Sequence, residues 1–108
     1  MIRNGVELSA RRDESVRAPA DGRVVMVAAI PGFDQVVVID HGSGELCMLG
    51  RLWKVSVEQG ETVEAGDAIA SVAPKAVDDG LGTTAYVELR HGDKPVDPAA
   101  RLGRARRR

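Results

Sequence analysis

The chain has 108 residues, near-balanced charge (15 Lys and Arg against 16 Asp and Glu) and one residue each of Cys, Trp, Tyr and Phe. That size suits a single domain, the lone thiol excludes an internal disulfide or a cysteine zinc cluster, and no apolar run reaches the roughly 18 residues of a membrane span. With 44% apolar but only 3% aromatic residues, the core has to be built from Val, Ala, Leu and Ile.

The first sixteen residues, MIRNGVELSARRDESV, lack the apolar centre of a secretion signal. This predicts a cytoplasmic chain or one whose export signal lies outside this sequence. Residues 23–30 form the first β-branched, apolar run, bounded by Asp21-Gly22 and Pro31-Gly32. A second run over 35–40 follows a short turn, and His41-Gly42-Ser43-Gly44 closes it. Residues 45–53 predict a third strand, with Cys47, Leu49 and Arg51 on one face and Met48, Gly50 and Leu52 on the other. Residues 68–72 predict a short strand, and 73–82 read as a loop by composition. The last strand is predicted over 84–90. Alternation there directs Ala85, Val87 and Leu89 inward, and Thr84, Tyr86, Glu88 and Arg90 outward or into a groove.

Many short strands at turn-rich spacing predict an all-β fold, an antiparallel sheet or sandwich. One short C-terminal helix is predicted over 97–102, N-capped by Asp97, with Pro98 at its first position and Gly103 after its end. The domain then occupies residues 1–102. The tail, 103–108, is rich in arginine; residues 101–108 together hold five Arg and no acid. The first hundred residues therefore carry sixteen acids against ten bases. No aromatics are interleaved with the terminal arginines, so a base-stacking nucleic-acid surface is not supported. Gly22, Gly42, Gly44, Gly60 and Gly66 fit turns with positive φ rather than a phosphate cradle. His41 reads as a hairpin residue, His91 as solvated and Cys47 as a packing residue.

Several segments together carry a resemblance. Val16-Arg17-Ala18-Pro19-Ala20-Asp21-Gly22-Arg23-Val24 resembles the V-x-A-P-x-D-G-x-V strand entry of the LytM-type (lysostaphin-like) metallopeptidases. Val37-Val38-Ile39-Asp40-His41-Gly42-Ser43-Gly44 resembles their VIIDHGNG hairpin. The run from Val57 through Gly60, Val63 and Gly66 to Ile69 is similar to their V-x-x-G-x-x-V-x-x-G-x-x-I segment. Tyr86-Val87-Glu88-Leu89-Arg90 followed by Pro95-Val96-Asp97-Pro98 is similar to HFEVR…PVDP. The order is consistent over about residues 3–102. The resemblance implies a groove across an antiparallel sheet, where active relatives cut peptidoglycan cross-bridges.

Zinc hydrolysis needs three protein ligands and an open water position. Active relatives supply an H-x-x-x-D pair, a histidine in Y-x-H-L and a late H-x-H. These positions fall here on Arg3 and Glu7, on Arg51 in Leu49-Gly50-Arg51-Leu52, and on Thr84 and Tyr86. Only Glu7 could ligate a metal. A guanidinium has no lone pair to offer and stays protonated, and neutral tyrosine replaces imidazole poorly.

The resemblance therefore implies no metal, no cofactor and no catalysis. It is strongest to the EnvC-like murein hydrolase activators, which have lost the zinc ligands and use the former active-site groove to switch on cell-wall amidases. By that resemblance Arg3, Glu7, Arg51, Thr84 and Tyr86 would line a groove for a protein partner, an amidase, outside the cytoplasmic membrane. Peptidoglycan is a second candidate ligand. Two other classes stay open at this point. One is a zinc endopeptidase with atypical ligands. The other is a lipoyl- or biotinyl-type carrier, for which Lys75 is misplaced relative to the glycine spacing.

Overall fold

The computed structural model describes residues 6–10, 14–73, 83–91 and 94–96. Arg3, the expected helix at 97–102 and the tail at 103–108 lie outside the described residues. In chain order the strands are β1 (Val6–Ala10), β2 (Ser15–Arg17), β3 (Gly22–Ile30), β4 (Asp34–Gly42), β5 (Glu45–Trp53), β6 (Thr62–Val63), β7 (Ala68–Val72), β8 (Thr83–His91) and β9 (Lys94–Val96). The five expected strands are present as β3, β4, β5, β7 and β8, with β5 and β7 at the expected bounds. Consecutive Val and Ile fill the middle of β4, and Val with Met and Ala that of β3, and branched side chains suit a pleated surface packed on both sides. The sequences VELSA, SVR, TV and KPV carry too little of that signal, and pairing with a longer neighbour supplies what they lack.

The described strands make one antiparallel sheet in the order β1-β8-β5-β4-β3-β6. β9 adds to β8, while β7 pairs both with β2 and with the end of β5. Each face of this sheet carries its own apolar cluster. Val24, Val37, Ile39, Cys47, Leu49 and Val87 form one face, packed with Ala18, Val57, Val63, Ile69 and Ala70 from the segments that cross it. This main core is aliphatic apart from one thiol, as the composition requires. Each fully buried Val, Ile or Leu contributes about 1.5–3 kcal/mol.

The crossing segment follows a six-residue period. Val57, Val63 and Ile69 point inward at 7%, 2% and 0% exposure. Between them Gly60 and Gly66 turn the chain at φ 94° and 89°. In each turn the carboxylate three residues on caps the backbone. Glu58 N donates to Glu61 Oε1 at 3.1 Å, and Glu64 N donates to Asp67 Oδ2 at 2.9 Å. The glycine spacing is thus a pair of equivalent turns, each setting one apolar side chain into the core.

Gly42 and Gly44 also adopt positive φ, whereas Gly22 has a different role. A Cβ at Gly22 would stand 2.6 Å from both the Asp40 carbonyl oxygen and Ile39 Cγ2. It is there for close approach of β3 to β4, not for turning. Beside it, His41 Nδ1 donates to the Asp21 carbonyl at 2.8 Å and ties the β4 end to the turn before β3. His91 is exposed, its Nδ1 3.9 Å from Glu45 Oε2.

Candidate functional site

The second face of the sheet carries Tyr86, one of the residues that the sequence singled out. Here Phe33, Val36 and Tyr86 are buried, with Met26, Ile30, Val38 and Met48 packed partly around them. β8 lies between β1 and β5, so Glu7, Tyr86 and Gly50 occupy one row across three strands. Two residues along, Thr84 pairs with Ser9. The topology thus brings the backbone positions of Glu7, Thr84 and Tyr86 beside the end of β5, where Arg51 sits.

Arg51 reaches this face through an irregularity in β5. Asp34 and Gln35 both pair with Leu52, and the register shifts again before Val37 pairs with Leu49. Arg51 takes φ 60° at this bulge. The pleat is interrupted, and Leu52 rather than Arg51 joins Cys47 and Leu49 in the main core. The expected placement of Arg51 with Cys47 and Leu49, and of Leu52 opposite, is therefore reversed at this point. A bulge adds one residue to the count, and uniform alternation cannot anticipate it.

The guanidinium of Arg51 lies over the Phe33 ring, 5.7 Å from its centroid, and Nη1 donates to the Gly32 carbonyl at 2.9 Å. Arg51 N also donates to the Phe33 carbonyl. Phe33 in turn packs on Tyr86, with centroids 4.8 Å apart and planes tilted by 56°. Gly50 lies against the stack, where a Cβ would stand in ordinary contact with both residues at 3.5 Å. Arginine, phenylalanine and tyrosine form one stack from the rim of the patch to its floor.

Tyr86 is the floor. The alternation predicted it outward or in a groove, yet it is 1% exposed, and Glu88 is 9% exposed. The cause is the second apolar cluster, which covers a face that simple alternation would leave to solvent. The Tyr86 hydroxyl donates to Glu88 Oε1 at 2.9 Å, and Arg90 Nε donates to Glu88 Oε2 at 2.6 Å. Both carboxylate oxygens are engaged, which offsets the cost of sinking Glu88 into this face. Phe33, Glu88 and Arg90 were not singled out as site residues. The alternation of Tyr86, Glu88 and Arg90 carried a signal for two of them, whereas nothing local marks Phe33.

The donors do not suit zinc. Arg51 offers only N–H groups. The Tyr86 hydroxyl is committed to a carboxylate within the sheet. Among the described residues, no group of three or more His, Cys, Asp or Glu side chains is placed to hold a metal ion. No hydrolytic step through a metal follows from this arrangement. What remains is a rim arginine backed by two buried aromatic rings and held by its own hydrogen bond, which is chemistry suited to recognition of an acidic group.

The sequence profile of peptidase family M23 matches residues 1–98. The chain is 35% identical over 101 residues to the murein hydrolase activator EnvC of Escherichia coli strain K12, covering 93% of this chain and 23% of that protein. It is 26% identical over 95 residues to the murein hydrolase activator NlpD of the same organism, covering 87% of this chain and 24% of that protein. A crystal structure of a zinc-containing peptidase from Vibrio cholerae superposes with a TM-score of 0.76 at 27% identity, covering 87% of this chain and 28% of that one. The chain thus spans about a quarter of the length of the curated relatives it matches.

Proposed function

The chain belongs to peptidase family M23, and on that premise we propose that it is a non-catalytic member that binds and activates a cell-wall amidase outside the cytoplasmic membrane. The observation that carries this reading is the stack of Arg51, Phe33 and Tyr86, two of whose members fall, by motif resemblance, at metal-site positions. By that resemblance Arg51 and Tyr86 take the places of histidines in active members, and here both pack against Phe33. Two relatives that share most of this chain are named as murein hydrolase activators, which supports the same reading.

The mechanism follows from what the patch offers. Arg51 places a fixed positive charge at the rim, where a zinc ion would supply one in an enzyme. Tyr86 and Phe33 make a firm aromatic base beneath it. A partner segment that carries an acidic group would pair with Arg51, while the buried Phe33 and Tyr86 rings hold the guanidinium in place. Binding such a segment would draw it away from the amidase's own active site and shift the amidase toward its open state. Arg3, Glu7 and Thr84 complete the proposed contact surface.

The decisive substitution is Arg51→Glu, which reverses charge at the rim without touching the main core. In a dye-release assay on purified peptidoglycan, the parent releases dye only when an amidase is present, with or without zinc. The variant should still unfold in one cooperative thermal transition, at a somewhat lower temperature because it loses the Gly32 bond and the Phe33 contact, and should lose activation. Activation at the parental level by the folded variant refutes the groove assignment. Release by this protein alone refutes the non-catalytic reading.

A further inference from the structure

β3 has the sequence of an interior strand and the position of an edge strand. Residues 24–30 read Val-Val-Met-Val-Ala-Ala-Ile, an uncharged apolar run of the kind that neighbours cover on both sides. On one side β4 pairs with it from Arg23 to Ile30. On the other, β6 meets only Gly22 and Arg23. Bonds from Val24 to the backbone of Gly60 and Glu61 extend that cover by one residue. Among the described residues, no strand pairs with 25–30 on this side.

Both apolar clusters run out to this edge. Val24 and Val27 pack with the main core, Met26 and Ile30 with the second cluster, and of the four only Val24 is fully buried. Val25 is 39% exposed, and Ala29 is exposed as well. Sheet edges are ordinarily guarded by a Lys, a Pro or a bulge. Here residues 25–30 hold no charge and no Pro, and the bulge at Val25 sits where the β6 cover ends. The register with β4 is then regular from Met26 to Ile30. About 20 Å of apolar ladder is left open.

We propose that this edge pairs with the β3 edge of a second copy of the chain, antiparallel about a two-fold axis between Val27 and Ala28. That register sets Val25 opposite the partner's Ile30, Met26 opposite the partner's Ala29 and Val27 opposite the partner's Ala28. Larger side chains meet alanines at the centre, and branched ones meet at the two ends, which is favourable cross-strand packing. Charge agrees with this pairing. Arg23 and Asp34, both exposed, bracket the strand with no charged residue between them. Antiparallel pairing carries each Arg23 toward the turn that holds the partner's Asp34, whereas a parallel pair would set like charges together. A polar strand would leave one cluster or both in water, so the occupant has to be apolar on both faces, as β3 itself is.

So short a ladder lies at the low end of interface sizes, and the dimer should be weak, with a Kd on the order of 100 µM. Sedimentation equilibrium of the full chain, from about 10 µM to about 1 mM, should fit a monomer–dimer equilibrium. Ala29→Lys sets a charge against the partner's Met26 from an exposed position. It should weaken the dimer by about tenfold or more and still melt as the parent does. The register has its own test. Met26→Cys and Ala29→Cys proteins, mixed and mildly oxidised, should form a disulfide that neither forms alone, since the native thiol Cys47 is buried. A chain that stays monomeric at about 1 mM overturns the proposal and leaves the edge to a strand of another protein. A dimer that Ala29→Lys leaves intact also overturns it, and so does growth beyond the dimer, which would mean an open-ended contact. No amidase is present, so each of these outcomes leaves the activator reading standing.

Discussion

At the scale of single residues, this domain uses two kinds of buried polar group. Glu88 is sunk in the groove face with both oxygens paired, one to Tyr86 and one to Arg90. Cys47 is sunk in the main core at 0% exposure. Burial pushes its thiol from an ordinary 9.0 up to about 12, against a smaller lowering by its hydrogen bond with the Ile39 backbone. The consequence for stability has a definite sign. In the unfolded chain the thiol ionises first, so the contribution of the buried neutral thiol is complete below about pH 9 and is lost as pH rises toward 12. Urea denaturation of the parent and of Cys47→Ala across pH 8–11 should show the parent losing about 1.4 kcal/mol per unit more than the variant once the unfolded thiol ionises. Equal slopes for the two proteins would show that Cys47 does not titrate between folded and unfolded states.

At the scale of the element, β5 decides what the site can be. Its first part was legible in the sequence: alternation set Cys47 and Leu49 inward, and the bounds at 45 and 53 could be read from composition. The bulge at Arg51 was not legible, because a positive φ at an arginine leaves no local mark in the residue pattern. The same limit explains Tyr86. Period-two reasoning knows two faces but not that Phe33 and Val36 arrive from the β3–β4 hairpin to bury the second one. Motif order, by contrast, named Arg51 and Tyr86 together, and the fold brings both against Phe33, since motif order depends on which positions the fold juxtaposes and not on which way each side chain turns.

The bulge makes its own prediction. Arg51→Gly removes the bond to the Gly32 carbonyl and the contact with Phe33, but it also removes the left-handed strain of about 1–2 kcal/mol. These effects offset, and stability should stay within about 1 kcal/mol of the parent. Arg51→Val loses the same contacts and keeps a branched side chain at φ 60°, so it should unfold about 2 kcal/mol below the glycine variant. Chemical denaturation of the three proteins checks the order. A valine variant as stable as the glycine one would mean that β5 runs straight through this position.

At the scale of the whole molecule, the fold separates scaffold from chemistry. The aliphatic core and its capped turns hold the sheet, while Phe33, Tyr86 and Trp53, the chain's three aromatic residues, all lie outside the main core cluster. Such a scaffold has no need of a metal for stability, and this can be measured without any assay of function. Zinc bound at a hundred times its Kd would add about 2.7 kcal/mol. In a domain of this size that would raise the thermal midpoint by about 10 °C or more. Chelator-treated protein should therefore melt at the same temperature with and without equimolar zinc. The single reversion Tyr86→His should not create a shift either, because Arg51 keeps a fixed cation at the same patch and an imidazole in place of the hydroxyl still faces Glu88 across one pleat of β8. A zinc-dependent rise in the parent, together with one equivalent of zinc by elemental analysis, would return this chain to the metallopeptidases. A rise confined to the Tyr86→His variant would show instead that the loss of the metal site is one substitution deep.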